Sequence, residues 1–200
     1  MKYHFYSLAF SCIPFFPLAQ TSHPVKTESF RLSLGYSNTG TGDMHGVAME
    51  AAYVIPLANR LDLSTGFGST IHFQNEISDH VMRMLSAGLQ LTPEFQYSFA
   101  SFSSHSFQLI AGGLMRFQTT SMPEMYSTSS PTPMNPYPSY TIDQFGKQNT
   151  FSVGYRVGLA YMMNVSQKWE TGLKAVLQND TNADVITQLS IVVGRRMNHN

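Results

Sequence analysis

Residues 150–163 read TFSVGYRVGLAYMM. Phe151, Val153, Tyr155, Val157, Leu159, Tyr161 and Met163 fall on one parity; Ser152, Gly154, Arg156, Gly158 and Ala160 fall on the other. A period of two is the mark of a β-strand, because successive side chains point to opposite faces of the pleat. One face is continuously large and apolar. The other is small, polar and carries one charge.

The same split recurs on both sides of this stretch. It predicts strands at 29–36, 46–57, 60–73, 82–99, 106–119, 150–163, 169–178 and 185–197, with no helical period between them. Pro93 lies inside the fourth pattern and predicts a bulge or a local loss of pairing, since proline cannot donate to a ladder. Residues 121–149 break the alternation with Pro123, Pro131, Pro133, Pro136 and Pro138 among tyrosine, methionine and serine, and read as a long loop. The second, fourth and sixth connectors are short. Eight sequential strands remove their edges most simply by closing as an antiparallel up-and-down β-barrel. Short connectors on one side and longer ones on the other are the habit of transmembrane barrels, and a periplasmic N-terminus places 121–149 outside the cell.

Composition agrees. Asp, Glu, Lys and Arg make up 12% of the 200 residues, against ~25% in soluble proteins. Apolar residues reach 42% with no long apolar run, as expected where alternation dilutes hydropathy. Net charge is zero, and a nucleic-acid partner, which needs a basic footprint, is excluded. The opening MKYHFYSLAFSCIPFFPLAQ has Lys2 and His4, then a mostly apolar run too short to span a bilayer, and Leu18-Ala19-Gln20 at its end. It reads as a signal peptide over 1–20, leaving a barrel domain at 28–198. Cys12 is the one cysteine of the chain. Phe10 stands where a lipoprotein site wants a small residue, so neither lipidation nor a disulfide is expected.

Which face looks inward follows from size. A lipocalin-like soluble barrel would need the bulky Phe, Tyr and Leu set inside, where eight strands leave little room, and would expose Gly, Ala and Ser to water. Reversed, small residues make room for a few long charged ones. The inward charges are Arg31, Arg116, Arg156 and Lys174 against Glu50, Asp62, Glu94 and Glu170. Isolated charges in a narrow lumen are costly, so a paired network is expected. Glu50, Arg156 and Lys174, near mid-strand, form its expected centre. The aromatic girdle on the lipid side comprises Tyr53, Tyr97, Phe99, Phe107, Tyr161 and Trp169 near the turns, and Tyr36, Phe73, Phe117 and Phe151 near the loops. Arg83, outward at the loop rim, is placed to meet anionic lipopolysaccharide; at the midplane it would cost ~2–4 kcal/mol.

Reactive chemistry is scarce. Asp43, His45, His72, Glu76, Asp79 and His80 map to the loop side without a metal-ligand spacing. His105 and Ser106 are adjacent and point apart in a strand, so no Ser-His-acid set assembles. No glycine signature for a nucleotide occurs. No catalytic, cofactor-binding or metal site is expected, and the chain does not read as an enzyme.

With its Leu-Ala-Gln leader ending and eight alternating segments over 29–197, the chain resembles the small outer-membrane β-barrel proteins of Bacteroidota, akin to the OmpA transmembrane domain and OmpX. Those proteins usually end in an aromatic residue, whereas here Met197 is followed by Asn198-His199-Asn200. The resemblance implies the outer membrane of a Gram-negative cell, with membrane lipid, lipopolysaccharide and the barrel assembly machinery as partners. It implies a structural or surface-interaction role; from the residues, loop 121–149 is the expected contact for an extracellular ligand and the charged network is expected to plug the narrow lumen. The alternative function is a small pore or a transport- or secretion-associated component.

Overall fold

In lipid a backbone N–H or C=O without a partner costs several kcal/mol, so a sheet can cross a membrane only if it has no edge. The computed structural model meets that demand with one ring. It describes residues 27–40, 44–74, 84–129, 139–182 and 185–197. Residues 1–20 with Cys12, and Asp43, Glu76, Asp79, His80 and Arg83, lie outside these. The strands are β1 (Ser29–Thr39), β2 (His45–Ala58), β3 (Leu61–Gln74), β4 (Met84–Phe102), β5 (His105–Ser129), β6 (Ser139–Asn164), β7 (Trp169–Asp180) and β8 (Val185–Arg196). Each pairs antiparallel with its neighbour in sequence, and β1 pairs with β8 to close the barrel. Among the described residues there is no helix.

The register fixes the shape. Stepping through paired residues from Ser29 to Val54, Ser64, Glu94, Gly112, Arg156, Gln178 and Ile186 returns to β1 at Thr39, ten residues beyond the start. A stagger of that kind accompanies a strand tilt of roughly 35–45° and an interior that side chains fill.

Exposure alternates along every strand in the sense expected of a lipid-facing barrel. Leu34, Phe67 and Ile191 are 57%, 58% and 61% exposed, whereas Glu94, Arg116 and Arg156 are 1%, 1% and 2% exposed. A monomer in water rarely shows a contiguous apolar patch larger than a few hundred Å²; here the apolar set girds the whole barrel. The lipocalin-like arrangement, with this set inside, is excluded by the same numbers. The interior is less uniformly small than the sequence implies. Val54, Ile110, Leu114, Met162, Val176, Ile186 and Val192 point inward and are buried.

At Pro93 the β3 side of the ladder is intact, with Thr65 opposite, but the pairing of β4 with β5 lapses between Leu91–Met115 and Glu94–Gly112 without a change of register. Proline thus costs local pairing rather than a bulge. Bulges occur near the turn end instead, between Pro56 and Ala58 and between Ser98 and Ala100.

Residues 121–149, expected as a loop, are strand over 121–129 and 139–149, paired to each other as far as Ser129 and Ser139. Alternation in sequence reports one buried face. In the hairpin beyond the ring the backbone pairing continues although the alternation of the sequence has stopped. Register slips near Pro123 and Met125 accommodate the proline. The β4 partner ends at Leu85–Ser121 and the β7 partner at Gly154–Asp180, so among the described residues the strands of the hairpin beyond them pair only with each other. Replacing residues 122–146 by a short turn is therefore expected to leave the barrel intact. The heat-dependent shift of the compact protein on a detergent gel should be retained; its loss would mean that the ring leans on the hairpin.

Candidate functional site

The interior is organised by charge in three tiers. The middle tier joins four strands. Glu50 on β2 and Glu94 on β4 face Arg156 on β6 and Lys174 on β7. Arg156 Nη1 lies 2.5 Å from Glu50 Oε2 and 2.8 Å from Glu94 Oε1; Lys174 Nζ lies 2.8 Å from Glu50 Oε1 and 3.1 Å from Glu94 Oε2. Each cation serves both carboxylates, and the set is neutral. Arg156 Nη2 also donates to Gln188 Oε1 at 2.9 Å.

The turn-side tier pairs Arg31 Nε with Glu170 Oε1 at 2.6 Å, with Arg196 Nε 3.6 Å from Glu170 Oε2. Arg31 Nη1 donates to Gln96 Oε1 at 2.7 Å. The loop-side tier pairs Arg116 Nη2 with Asp180 Oδ2 at 2.6 Å, and Ser152 donates its hydroxyl to the same oxygen at 2.9 Å. Asp62 is buried on the inner face at the turn end of β3.

Backbone register explains how these partners meet. Glu94 pairs with Gly112, and Gly112 with Arg156. Arg31 pairs with Gly194, and Gly194 with Glu170. In both rows a glycine separates opposite charges two strands apart, and its missing side chain lets them touch above it. A Cβ at Gly194 would lie 2.6 Å from Glu170 Oε1 and 3.1 Å from Arg31 Cγ. Gly66 clears space in the same way for Glu50, whose Cδ would be 3.0 Å from an added Cβ. Beside the middle tier lies a cavity of about 20 Å³, bordered by Glu50, Gln96, Gln108, Ile110, Met162 and Lys174. That is about the space of one water molecule.

Glu50, Arg156 and Lys174, grouped by their mid-strand positions, are brought together, and Glu94 joins them. Arg31 and Glu170 meet, and Arg116 reaches a partner that sequence reasoning passed over. Asp180 was missed because the pattern of β7 weakens after Gln178. The signal is that Glu170, Lys174, Gln178 and Asp180 share one parity. Arg196 was missed beside Arg195, yet parity separates them: Arg195 faces out and Arg196 in, toward Glu170.

All ten girdle aromatics lie on the outer parity. Tyr36, Phe73, Tyr97, Phe99, Phe107, Phe117, Phe151 and Trp169 are exposed; Tyr53 and Tyr161 are half-buried. Tyr53 donates its hydroxyl to the Glu28 carboxylate. Tyr161 hydrogen-bonds with His105 Nδ1 at 2.7 Å and packs on Phe107 with ring centroids 5.1 Å apart. His105 is thus engaged at the girdle, away from any nucleophile arrangement. Of the loop-side histidines, His45 stacks on Tyr36 and the buried His72 hydrogen-bonds with Ser37 Oγ at 2.9 Å. Among the described residues no three His, Cys, Asp or Glu gather as metal ligands would.

A closed antiparallel ring with an apolar exterior and an ion-paired interior defines the class: an eight-stranded transmembrane β-barrel. No protein-family model matches the sequence, and no curated protein matches it. Among solved structures, Ail, the attachment invasion locus protein of Yersinia pestis, superposes with a TM-score of 0.56 at 12% identity, over 86% of this chain and 99% of Ail. The N-terminal β-barrel domain of Pseudomonas aeruginosa OprF gives a TM-score of 0.44 at 10% identity, over 84% and 97%. Neisserial surface protein A gives 0.44 at 11% identity, over 85% and 96%. At such identities the likeness to Ail is one of fold.

Removing one partner from a buried ion pair leaves the other uncompensated, at about 3–5 kcal/mol. Glu50→Ala should therefore lower stability by about that amount, read as a fall in the urea midpoint for unfolding from lipid vesicles. Adding Lys174→Ala should recover part of the loss, because it removes one of the two cations left over; strictly additive losses would show the tier to be uncoupled.

Proposed function

We propose that this chain is an integral outer-membrane protein that acts through its loop-side surface, with a lumen closed by its own charges. The observation that carries this reading is the filling of the barrel. Among the described residues, three tiers of paired charge and the inward Ile110, Leu114, Met162 and Val192 fill the interior around a small cavity beside Glu50, which supports a lumen closed to solutes and interaction through the outside. The β5–β6 hairpin supports it from the other end. It rises past its neighbours and holds Phe145 half exposed beside the exposed Lys147 and Gln148. Such a surface suits an extracellular ligand, with membrane lipid and lipopolysaccharide around the belt and the barrel assembly machinery as the route of entry. The leader at 1–20 supports export, and its ending supports an origin among Bacteroidota. No chemical step is part of this reading.

The second reading, a small pore or a transport- or secretion-associated component, is favoured by one feature: each carboxylate of the middle tier has two cations to choose from.

Two measurements test the first reading, the first of them against the second. Planar-bilayer recording of the purified protein should give no large, stable openings; such openings would overturn the closed lumen. On intact cells carrying the Cys12→Ser background, a membrane-impermeant maleimide should label Gln148→Cys and spare Gln167→Cys in the 165–168 turn. The reverse pattern would turn the barrel upside down.

A further inference from the structure

The outer wall carries a backbone group that the ladder does not satisfy. The pairing of β3 with β4 runs unbroken through Thr65–Pro93, whereas that of β4 with β5 misses Thr92 and Pro93 and resumes at Glu94–Gly112. The nitrogen of Pro93 therefore faces β5, where Gly113 stands opposite. An antiparallel pair of this kind exchanges two bonds, and proline can supply only its carbonyl. The Gly113 carbonyl is left without its donor, and among the described residues no other group donates to it.

Its depth makes this costly. Pro93 lies near the middle of the outward run Leu85–Phe99 on β4, and Gly113 near the middle of Phe107–Phe117 on β5. The carbonyl thus stands in the hydrocarbon, where no water reaches it. It is also open to approach. Gly113 faces outward, a Cβ added there would meet only the Pro93 ring at 3.6 Å, and the next outward residue toward the turns is the small Ala111.

A donor without an acceptor lies on the adjoining strand. Tyr155 on β6 is the cross-strand partner of Gly113. It is 53% exposed, and its hydroxyl has no partner among the described residues. By contrast Tyr36, Tyr53 and Tyr161 engage His45, Glu28 and His105. Tyr155 lies two outward positions inside Phe151, within the belt rather than at its girdle. Inside one barrel the two groups do not meet: the carbonyl lies in the plane of the sheet and aims at β4, while the phenol rises from β6 away from the sheet.

A second copy supplies both. A two-fold axis along the membrane normal, in front of β5, brings the same face of two barrels together, as in other isologous dimers. It preserves depth and lays β6 of one barrel against the β4–β5 side of the other. Tyr155 and Gly113 differ in depth by only about 1.25 residues, the share of one strand step in a stagger of ten. Each phenol therefore faces the partner's Gly113 carbonyl, across the bare strip that Ala111 and Gly113 leave. Acyl chains offer no donor, and a patch that holds both an unused donor and an unused acceptor suits its own copy.

We propose that the β4–β6 wall is the contact of a homodimer in the membrane, held at its centre by Tyr155 of each barrel donating to the partner's Gly113 carbonyl. The inference rests on the membrane reading above.

The test uses the full chain in a Cys12→Ser background, reconstituted in phosphatidylcholine vesicles, with donor and acceptor dyes at Gln167→Cys in the turn. Energy transfer should fall as the protein is diluted in lipid. Tyr155→Phe should raise the protein-to-lipid ratio at half-dissociation several-fold, and Gly113→Leu, which covers the carbonyl, should abolish transfer. Leu34→Phe, on the far wall, should leave it unchanged. Pro93→Ala restores the missing N–H within the barrel, so it should weaken the dimer while raising the urea midpoint of the dilute protein. A Pro93→Ala barrel that dimerises like its parent would overturn the proposal, as would equal losses from Leu34→Phe and Gly113→Leu. No transfer in protein that floats with the vesicles sinks the dimer and leaves the membrane reading standing; protein that does not float sinks both. A complex with a different membrane protein, extracted from cells and lost in Tyr155→Phe, would give the wall to another occupant and also overturn the homodimer.

Discussion

The pairing of β1 with β8 is the constraint on which the rest depends. Without it, two strands would present rows of bare N–H and C=O groups to lipid, which no apolar side chain offsets. Closing the ring at a stagger of ten does more than satisfy the backbone. It sets which inward residues stand in one cross-strand row, and hence which charges meet. The interior network is a consequence of register, because the same residues one position out of step would carry every charge to the lipid face.

The interior is neutral in its middle tier, where cations and carboxylates from four strands share one another. Arg156 alone touches Glu50, Glu94 and Gln188. Buried pairs of this kind do little for net stability compared with apolar packing, but they punish wrong registers severely. In a barrel whose outer face is almost interchangeable Leu, Val and Phe, a charge network in the lumen discriminates one alignment from the next. Apolar side chains on the outside cannot do so, since lipid accepts them in any order.

How much of this is legible in the sequence depends on the period. Where one face is buried and the other lipid-bound, alternation is strong, and the eight strands with their inward charges can be read directly. The stretch 150–163 is sufficient to orient every other strand. Alternation stops at the membrane surface, which is why residues 121–129 and 139–149 read as loop although their backbones pair. Parity also cannot say who faces whom. Asp180 meeting Arg116 needs the register of β5, β6 and β7 together, and the placing of Gly112 between Glu94 and Arg156 is invisible until three strands are aligned. The inward Ile110 and Leu114 show that parity sorts position rather than polarity.

Gly194 gives the seam a particular character. Arg31 on the first strand and Glu170 on the seventh clasp each other across the last one. Neither finds its counterpart until the final strand slots between them, so neutralising these two groups and sealing the cylinder are one event. An unfinished barrel keeps two solitary ions at its open slit, a built-in penalty on halting one strand short. Once the slit is shut, the same clasp resists sideways parting of the terminal strands.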